Sequence, residues 1–356
     1  MNKIRPLFIS RTLPYLGGRE IMVNEIIKYF SESGMVWILT PDKYKGNGKI
    51  NVINKIAYDE NLIKKLKRAQ INIINCHTFY LFDTAFKIAK CLNIPLVFTL
   101  HGVFIGIYGK KYNSIIKKIS KKSTLVITVS KMYLEKLKKT FPLKANKFIK
   151  IQNGIKALKS KREKNKSLHI KYIIIPARLN KLKGLEYAAQ ASRQLKNIRF
   201  CICHPSGRKD NTEEFKYKNK LFKESGNLIH FKKLDHKNML LEMQRANLVL
   251  LPSLIEGISI SILESMSLGK IVATTSVGGN PEIIKDRVNG FLFKPKSTDS
   301  IIKTIDKISK IGLENKKVIS KNAILTVSKK FDINIMLKQY SNIFNNLVNN
   351  VKIIKT

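Results

Sequence analysis

Short apolar runs rich in Ile, Val and Leu recur along the chain, separated by longer stretches whose apolar residues repeat every three or four positions. The runs predict strands at 4–10, 35–40, 50–54, 71–76, 94–100 and 125–129, then at 170–176, 198–203, 227–232, 247–252, 270–275 and 291–293. The stretches between them predict helices at 19–33, 59–69, 79–93, 108–122, 185–196, 259–268, 298–311, 315–329 and 333–350, with a further helix after Ser130. Strand and helix alternate throughout, so the expected fold class is α/β, with two doubly wound sheets. The stretch 157–167 is almost wholly polar and reads as a linker. The expected division is 1–156, the linker 157–167, a second domain at 168–332, and a last helix within 333–356.

A chain of 356 residues can bury two cores of ordinary size, and 44% hydrophobic content suits a globular protein. No apolar run approaches the ~18 residues of a membrane span, and the run near Met1 is too short for a secretory signal, so a cytoplasmic protein is expected. Cys76, Cys91, Cys201 and Cys203 complete no zinc pattern and read as reduced packing residues. The formal charge of +43 admits a nucleic-acid partner or an anionic membrane face. Lys, Ile and Asn abound everywhere, however, and such compositional bias discounts the charge as evidence. Lysine is still unevenly placed: thirteen lie between Gly109 and Lys150, against one acidic residue, Glu135. There Ile115, Ile116 and Ile119 share a helical face, with Lys110, Lys111, Lys117, Lys118, Lys121 and Lys122 around it. This is either a solvated helix over a sheet or a basic helix that docks on anionic lipid.

The opposite composition marks 246–281. Only Glu256, Glu264 and Lys270 are charged there, three of 36 residues, where the chain's 26% would give about nine. A carboxylate kept in so apolar a segment needs a partner or a task. Each could cap a helix or pair with a nearby lysine. Alternatively, both face a crevice at the carboxyl ends of parallel strands, where open α/β sheets bind ligands. Glu256 would then stand in the loop before a helix and Glu264 two turns along it.

The Glu-x7-Glu spacing comes with Pro252-Ser-Leu-Ile-Glu-Gly, Ser267-Leu-Gly-Lys and Ser276-Val-Gly-Gly-Asn-Pro-Glu around it. Together these resemble the donor-site signature of glycosyltransferase family 4, the retaining enzymes of the GT-B fold. The resemblance implies two Rossmann-like domains facing across a cleft, with a last helix returning to the first domain. It is strongest over 173–295 and loose before 95.

Other stretches fit the same pattern. Arg178 and Lys183 bracket a strand-to-helix turn, which suits a diphosphate: a planar fork and a point charge beside helix N–H groups. They resemble the family's Gly-Arg-Leu…Lys-Gly, with Ala177 in place of the first glycine. Gly17 and Gly18 precede a helix and match its Gly-Gly-x-Glu loop. His101 ends a strand in Thr99-Leu-His-Gly, and the matching family histidine contacts the donor sugar. His77, also at a strand end, is a second candidate. Asn153-Gly154 resembles the family's turn, although Lys156 stands where relatives carry Asp. Phe231-Lys-Lys-Leu234 lacks the glycine that relatives place there, and His204-Pro-Ser-Gly207 resembles a loop of the nucleotide pocket.

By this resemblance the chain is a hexosyltransferase of the EC 2.4 class, acting in surface polysaccharide, lipopolysaccharide or glycolipid synthesis. Arg178 and Lys183 neutralise the leaving diphosphate without a metal. Glu256 holds the transferred sugar, Glu264 the ribose, and the N–H groups of Gly257, Ile258 and Ser259 add to donor binding. The partners implied are a nucleotide diphospho-sugar and a sugar or lipid-linked acceptor, with the inner membrane face a further partner through the basic helix. No nucleic acid is expected, because no aromatic–basic interleaving accompanies the charge. The rivals are a basic polyanion- or membrane-binding protein with a vestigial sugar site, and a non-catalytic partner of a transferase.

Overall fold

The computed structural model describes residues 3–11, 17–41, 44, 46–54, 58–102, 109–158, 169–206 and 212–350, without the side chains of 109–111 and 350. The expected linker lies outside the described residues from 159 onward, as do 12–16, Tyr108 and Gly207. The chain forms two compact units: Met1–Asn153 with Asn334–Thr356, and Gly154–Ile333.

The first unit is built on seven strands: β1 (Pro6–Ile9), β2 (Val36–Leu39), β3 (Ile50–Ile53), β4 (Ile73–Cys76), β5 (Leu96–Leu100), β6 (Leu125–Thr128) and β7 (Phe148–Lys150). All pair in parallel, in the order β3-β2-β1-β4-β5-β6-β7. A parallel sheet needs crossover connections, and the helices that supply them bury both of its faces. Accordingly β1, β4 and β5 are buried at every position. The last helix, Ile333–Asn350, completes this unit: Phe344 stacks on Phe30 at 5.1 Å between centroids and lies 6.4 Å from Phe8.

The second unit carries six parallel strands: β8 (Tyr172–Pro176), β9 (Arg199–Pro205), β10 (His230–Leu234), β11 (Leu248–Leu251), β12 (Val272–Thr275) and β13 (Phe291–Phe293). Their order is β10-β9-β8-β11-β12-β13. Its core gathers Ile173, Ile175, Phe200, Ile202, Leu248 and Leu250 from the sheet with Leu185, Ala188 and Ile305 from covering helices. The unit's two ends are tied together: Ile155 N donates to Phe331 O at 2.9 Å and Ile333 N to Ile155 O at 3.0 Å. A Cβ at Gly154 would come within 2.7 Å of Asp332 O, which accounts for the glycine of the Asn153-Gly154 turn.

Several sequence expectations shift. The strand expected at 227–232 is β10, three residues later, because Gly226 and Asn227 take left-handed φ of 64° and 65° and form a turn. The helices Thr212–Glu224 and His236–Arg245 were not anticipated. Cys76, Cys201 and Cys203 are buried free thiols, but Cys91 is exposed, so only the first three are packing residues.

The basic stretch is the helix Gly109–Lys122. Ile116 and Ile119 are fully buried in the first unit, and Ile115 is half-buried. Lys118 reaches Asp83 at 2.6 Å, and Lys122 lies 4.4 Å over the Phe86 ring. The apolar face of this helix is thus spent on the core, and Lys117, Lys118 and Lys121 are exposed on its other side.

Candidate functional site: the strand-end crevices of each unit

In the second sheet the chain runs outward from β8 through β9 to β10, then returns to the other side of β8 with β11. In doubly wound sheets ligands bind at the carboxyl ends of the strands beside such a reversal, where the loops leaving β8 and β11 stand. Both expected donor loops lie there. The β8 loop ends in Gly184, at φ 58°, and a Cβ on it would run into Pro252 O of the β11 loop. Leu254 N also donates to Leu182 O at 2.8 Å. Glycine is required at that point both for the left-handed backbone and for the close approach.

The two loops share a charge pair. Lys183 Nζ lies 2.5 Å from Glu256 Oε1, and Ser253 Oγ donates to the same oxygen at 2.7 Å. The Glu256 side chain is 11% exposed, so this largely buried carboxylate meets its need for a partner with the lysine that the sequence had assigned to a diphosphate. Gly278 (φ 57°) and Gly279 support the loop from below: a Cβ on the first would run into Glu256 O, and on the second into Gly257 O. Gly279 N donates to Gly257 O at 2.9 Å. The Gly-Gly turn thus shapes the Glu256-Gly257 backbone, a role sequence reading did not assign. Gly257, Ile258 and Ser259 are buried, and Ser259 is the N-cap of the helix Ile260–Ser267 without a side-chain cap bond. Arg178, just past β8, is exposed.

Glu264, farther along that helix, has an 8% exposed side chain, and its Oε1 is 2.6 Å from His236 Nε2. His236 opens the helix His236–Arg245, capped by Asp235, whose side chain accepts from Asn238 N at 2.7 Å. The hydrogen bond to Glu264 raises the pKa of His236 above the ordinary histidine value, with burial opposing. Sequence reading missed this histidine. The available signal was Asp235 as an N-cap before an apolar-periodic stretch.

The first sheet has its own reversal, between β1 and β4. His77 follows β4 and His101 follows β5, and the structure brings them together, His77 Nδ1 lying 2.9 Å from His101 Nε2. Burial holds both rings neutral. His77 is lowered well below the usual value by burial, with His101 and Arg19 adding, and His101 is lowered to about 3 by burial, with Arg19 adding. Arg19 pairs with Glu20 at 2.6 Å, and that carboxylate is buried. Both belong to the helix Gly18–Ser33, whose N-cap is Gly17. The expected residues therefore fall into two sets. Gly17, Gly18, His77 and His101 stand at the first sheet, and Arg178, Lys183, Glu256, Gly257, Ile258, Ser259 and Glu264 at the second.

Among the described residues no three His, Cys, Asp or Glu side chains gather as a metal site, and no helix is long and apolar enough to cross a membrane.

Comparison with known proteins adds to this geometry. The family described as Glycosyl transferases group 1 matches residues 157–326, and Glycosyltransferase Family 4 matches residues 17–157. The glycosyltransferase MJ1607 of Methanocaldococcus jannaschii is 28% identical over 301 residues, 77% of this chain and 75% of its own length. Among solved structures, a glycosyltransferase from Rickettsia africae superposes with a TM-score of 0.77 at 20% identity, over 98% of this chain and 100% of that one. Anabaena Alr3699/HepE in complex with UDP-glucose superposes with a TM-score of 0.80 at 18% identity, over 97% of this chain and 100% of that one. The chain belongs to the group 1 glycosyltransferases and has their two-domain α/β GT-B fold.

Proposed function

We propose that the chain moves a hexose from a nucleotide diphospho-sugar to an acceptor hydroxyl with retention of anomeric configuration, in surface polysaccharide, lipopolysaccharide or glycolipid synthesis. The observation that carries this reading is the Lys183–Glu256–Ser253 cluster, held between two glycine-tightened loops at the reversal point of the second sheet. A lysine and a glutamate that pair with each other at a strand end are suited to exchange partners. The diphosphate takes Lys183 together with Arg178, and Glu256 turns to the hydroxyls of the sugar. Glu264 accepts from the ribose hydroxyls, and the N–H groups of Gly257, Ile258 and Ser259 add dipoles at the helix start. The UDP-glucose bound by Anabaena Alr3699/HepE supports a donor of this class.

In the reaction, the bond between the anomeric carbon and the diphosphate oxygen breaks and a bond to the acceptor oxygen forms. The acceptor proton passes to the departing phosphate. Arg178 and Lys183 stabilise the charge that develops on that phosphate, the role a metal ion has in other transferases. His101, in its neutral form, is in this reading a hydrogen-bonding residue for a sugar. A cytoplasmic location with electrostatic docking on an anionic membrane face is part of the same reading. It rests on the exposed Lys117 and Lys121, since the isoleucines of that helix are buried.

The test is transfer and hydrolysis across UDP-, GDP- and ADP-sugars, comparing the wild type with Glu256→Ala and Arg178→Ala. One nucleotide should be released, and either variant should lower the rate by about 10²–10³. If no donor reacts while polyanions or anionic vesicles bind tightly, the chain is a polyanion-binding protein and the enzyme reading fails.

A further inference from the structure

Glu264 is a buried carboxylate on a helix interior, and its partner comes from a different helix. That partner, His236, sits in the first turn of His236–Arg245, where the helix dipole disfavours a positive ring. A 2.6 Å bond to Glu264 at such a place indicates that the attraction of the carboxylate outweighs the dipole. Only one carboxylate oxygen is engaged. His236 Nε2 meets Oε1, and among the described residues no bond is formed to Oε2.

We propose that His236 is a positioning residue for the donor nucleotide: it holds Glu264 through Oε1 and presents Oε2 to the ribose hydroxyls. The inference rests on the assignment of Glu264 to the ribose in the proposed function and adds the residue that orients it. A carboxylate freed from His236 would swing among rotamers and be hydrated, and the ribose would have to reorder it. The charged groups acting on the ring are Glu264 from its neighbouring helix and Asp235 from its own element. Both favour the charged ring, against burial. The protonated ring is therefore the stronger anchor, and donor affinity weakens as pH rises through the titration of His236.

Two sets of measurements test this. Calorimetric titration with UDP, GDP and ADP identifies the nucleotide that binds, and is then repeated with its 2′-deoxy and 3′-deoxy forms. Steady-state KM and kcat for the matching nucleotide sugar are followed between about pH 6 and 9, where a histidine titrates. His236→Ala should weaken nucleotide binding and raise donor KM by about tenfold, the loss of one charge-assisted hydrogen bond, with kcat within about twofold. His236→Gln keeps a neutral donor to Oε1, so it should restore most of the affinity and abolish the pH dependence of KM. Removing the ribose hydroxyl that donates to Oε2 should make His236→Ala nearly silent, an outcome no general loss of structure would produce.

The proposal is overturned if His236→Ala leaves nucleotide affinity and the KM–pH profile unchanged, or weakens ribo- and deoxynucleotides equally. Glu264→Ala separates the two levels of inference. If it weakens binding while His236→Ala does not, His236 alone loses its role. If it has no effect, or no nucleotide binds at all, the assignment of Glu264 to the ribose fails and takes this proposal with it.

Discussion

The two units repeat one topology and equip it in opposite ways. Six strands of the first sheet and all six of the second follow the same order, with the reversal between the first and fourth strands of each. At the second reversal Lys183 pairs with Glu256 on loops closed by glycines, and His236 bonds to Glu264 between two helices of the same unit. At the first, two histidines bond to each other and burial keeps them uncharged. A doubly wound sheet decides where a ligand sits, and the loop residues decide what kind of ligand it is. The second unit carries charged groups at its strand ends, and the first carries a buried neutral imidazole pair.

The largest expected effect breaks the charged side of this contrast: loss of Glu256 or Arg178 should abolish most transfer, as given above. His77→Phe should leave nucleotide affinity, measured by calorimetry, within about twofold, because no charge is removed from the second unit. A comparable loss of nucleotide binding in both cases would erase the distinction.

Backbone strain comes next. Gly184→Ala places a Cβ at φ 58° against Pro252 O, so the second unit should lose about 2–4 kcal/mol. Native-state thiol labelling reads this unit by unit. Cys201 and Cys203 should become reactive sooner while Cys76 stays protected, and exposed Cys91 should label at once in every variant. Gly17, at φ −126°, is in an extended conformation open to any residue, so Gly17→Ala should introduce no such backbone strain. Urea melts of the two variants check the difference.

The histidines give the smallest and most diagnostic effect, because their pH responses have opposite signs. The folded pKa of His101 is depressed from 6.5 to about 3, and that of His77 falls in the same direction. Below 6.5 the unfolded chain therefore binds protons that the folded first unit refuses, and its stability falls as pH drops. The folded value of His236 is raised, so its contribution is complete below 6.5 and is lost as pH rises through that raised value. Hydrogen exchange at about pH 5, 7 and 9 should show the first unit opening in acid and the environment of His236 loosening in alkali. Uniform behaviour of both units would contradict the assignment.

Most of this architecture could be read from local signals. Continuous apolar runs and strand–helix alternation are short-range features, because they answer to backbone geometry and to burial on both sheet faces. The helix 333–350 was found at its exact bounds for the same reason. Boundaries slipped where a turn used left-handed residues, as at Gly226 and Asn227, and two helices with much exposed, charged surface went unseen. The carboxylates Glu256 and Glu264 stood out because an apolar segment rarely keeps a charge. Their partners did not stand out. Lys183 is 73 positions from Glu256 and His236 is 28 from Glu264, while His77 and His101 lie 24 apart. In a chain with 67 basic residues, no pattern along the sequence singles out the few that fold back onto a carboxylate. Pairing of this kind depends on which strand ends the sheet order brings side by side. Whether a histidine is then charged or neutral follows from what surrounds it there: a hydrogen bond to a buried carboxylate raises one ring, and burial, with a nearby guanidinium adding, lowers the others.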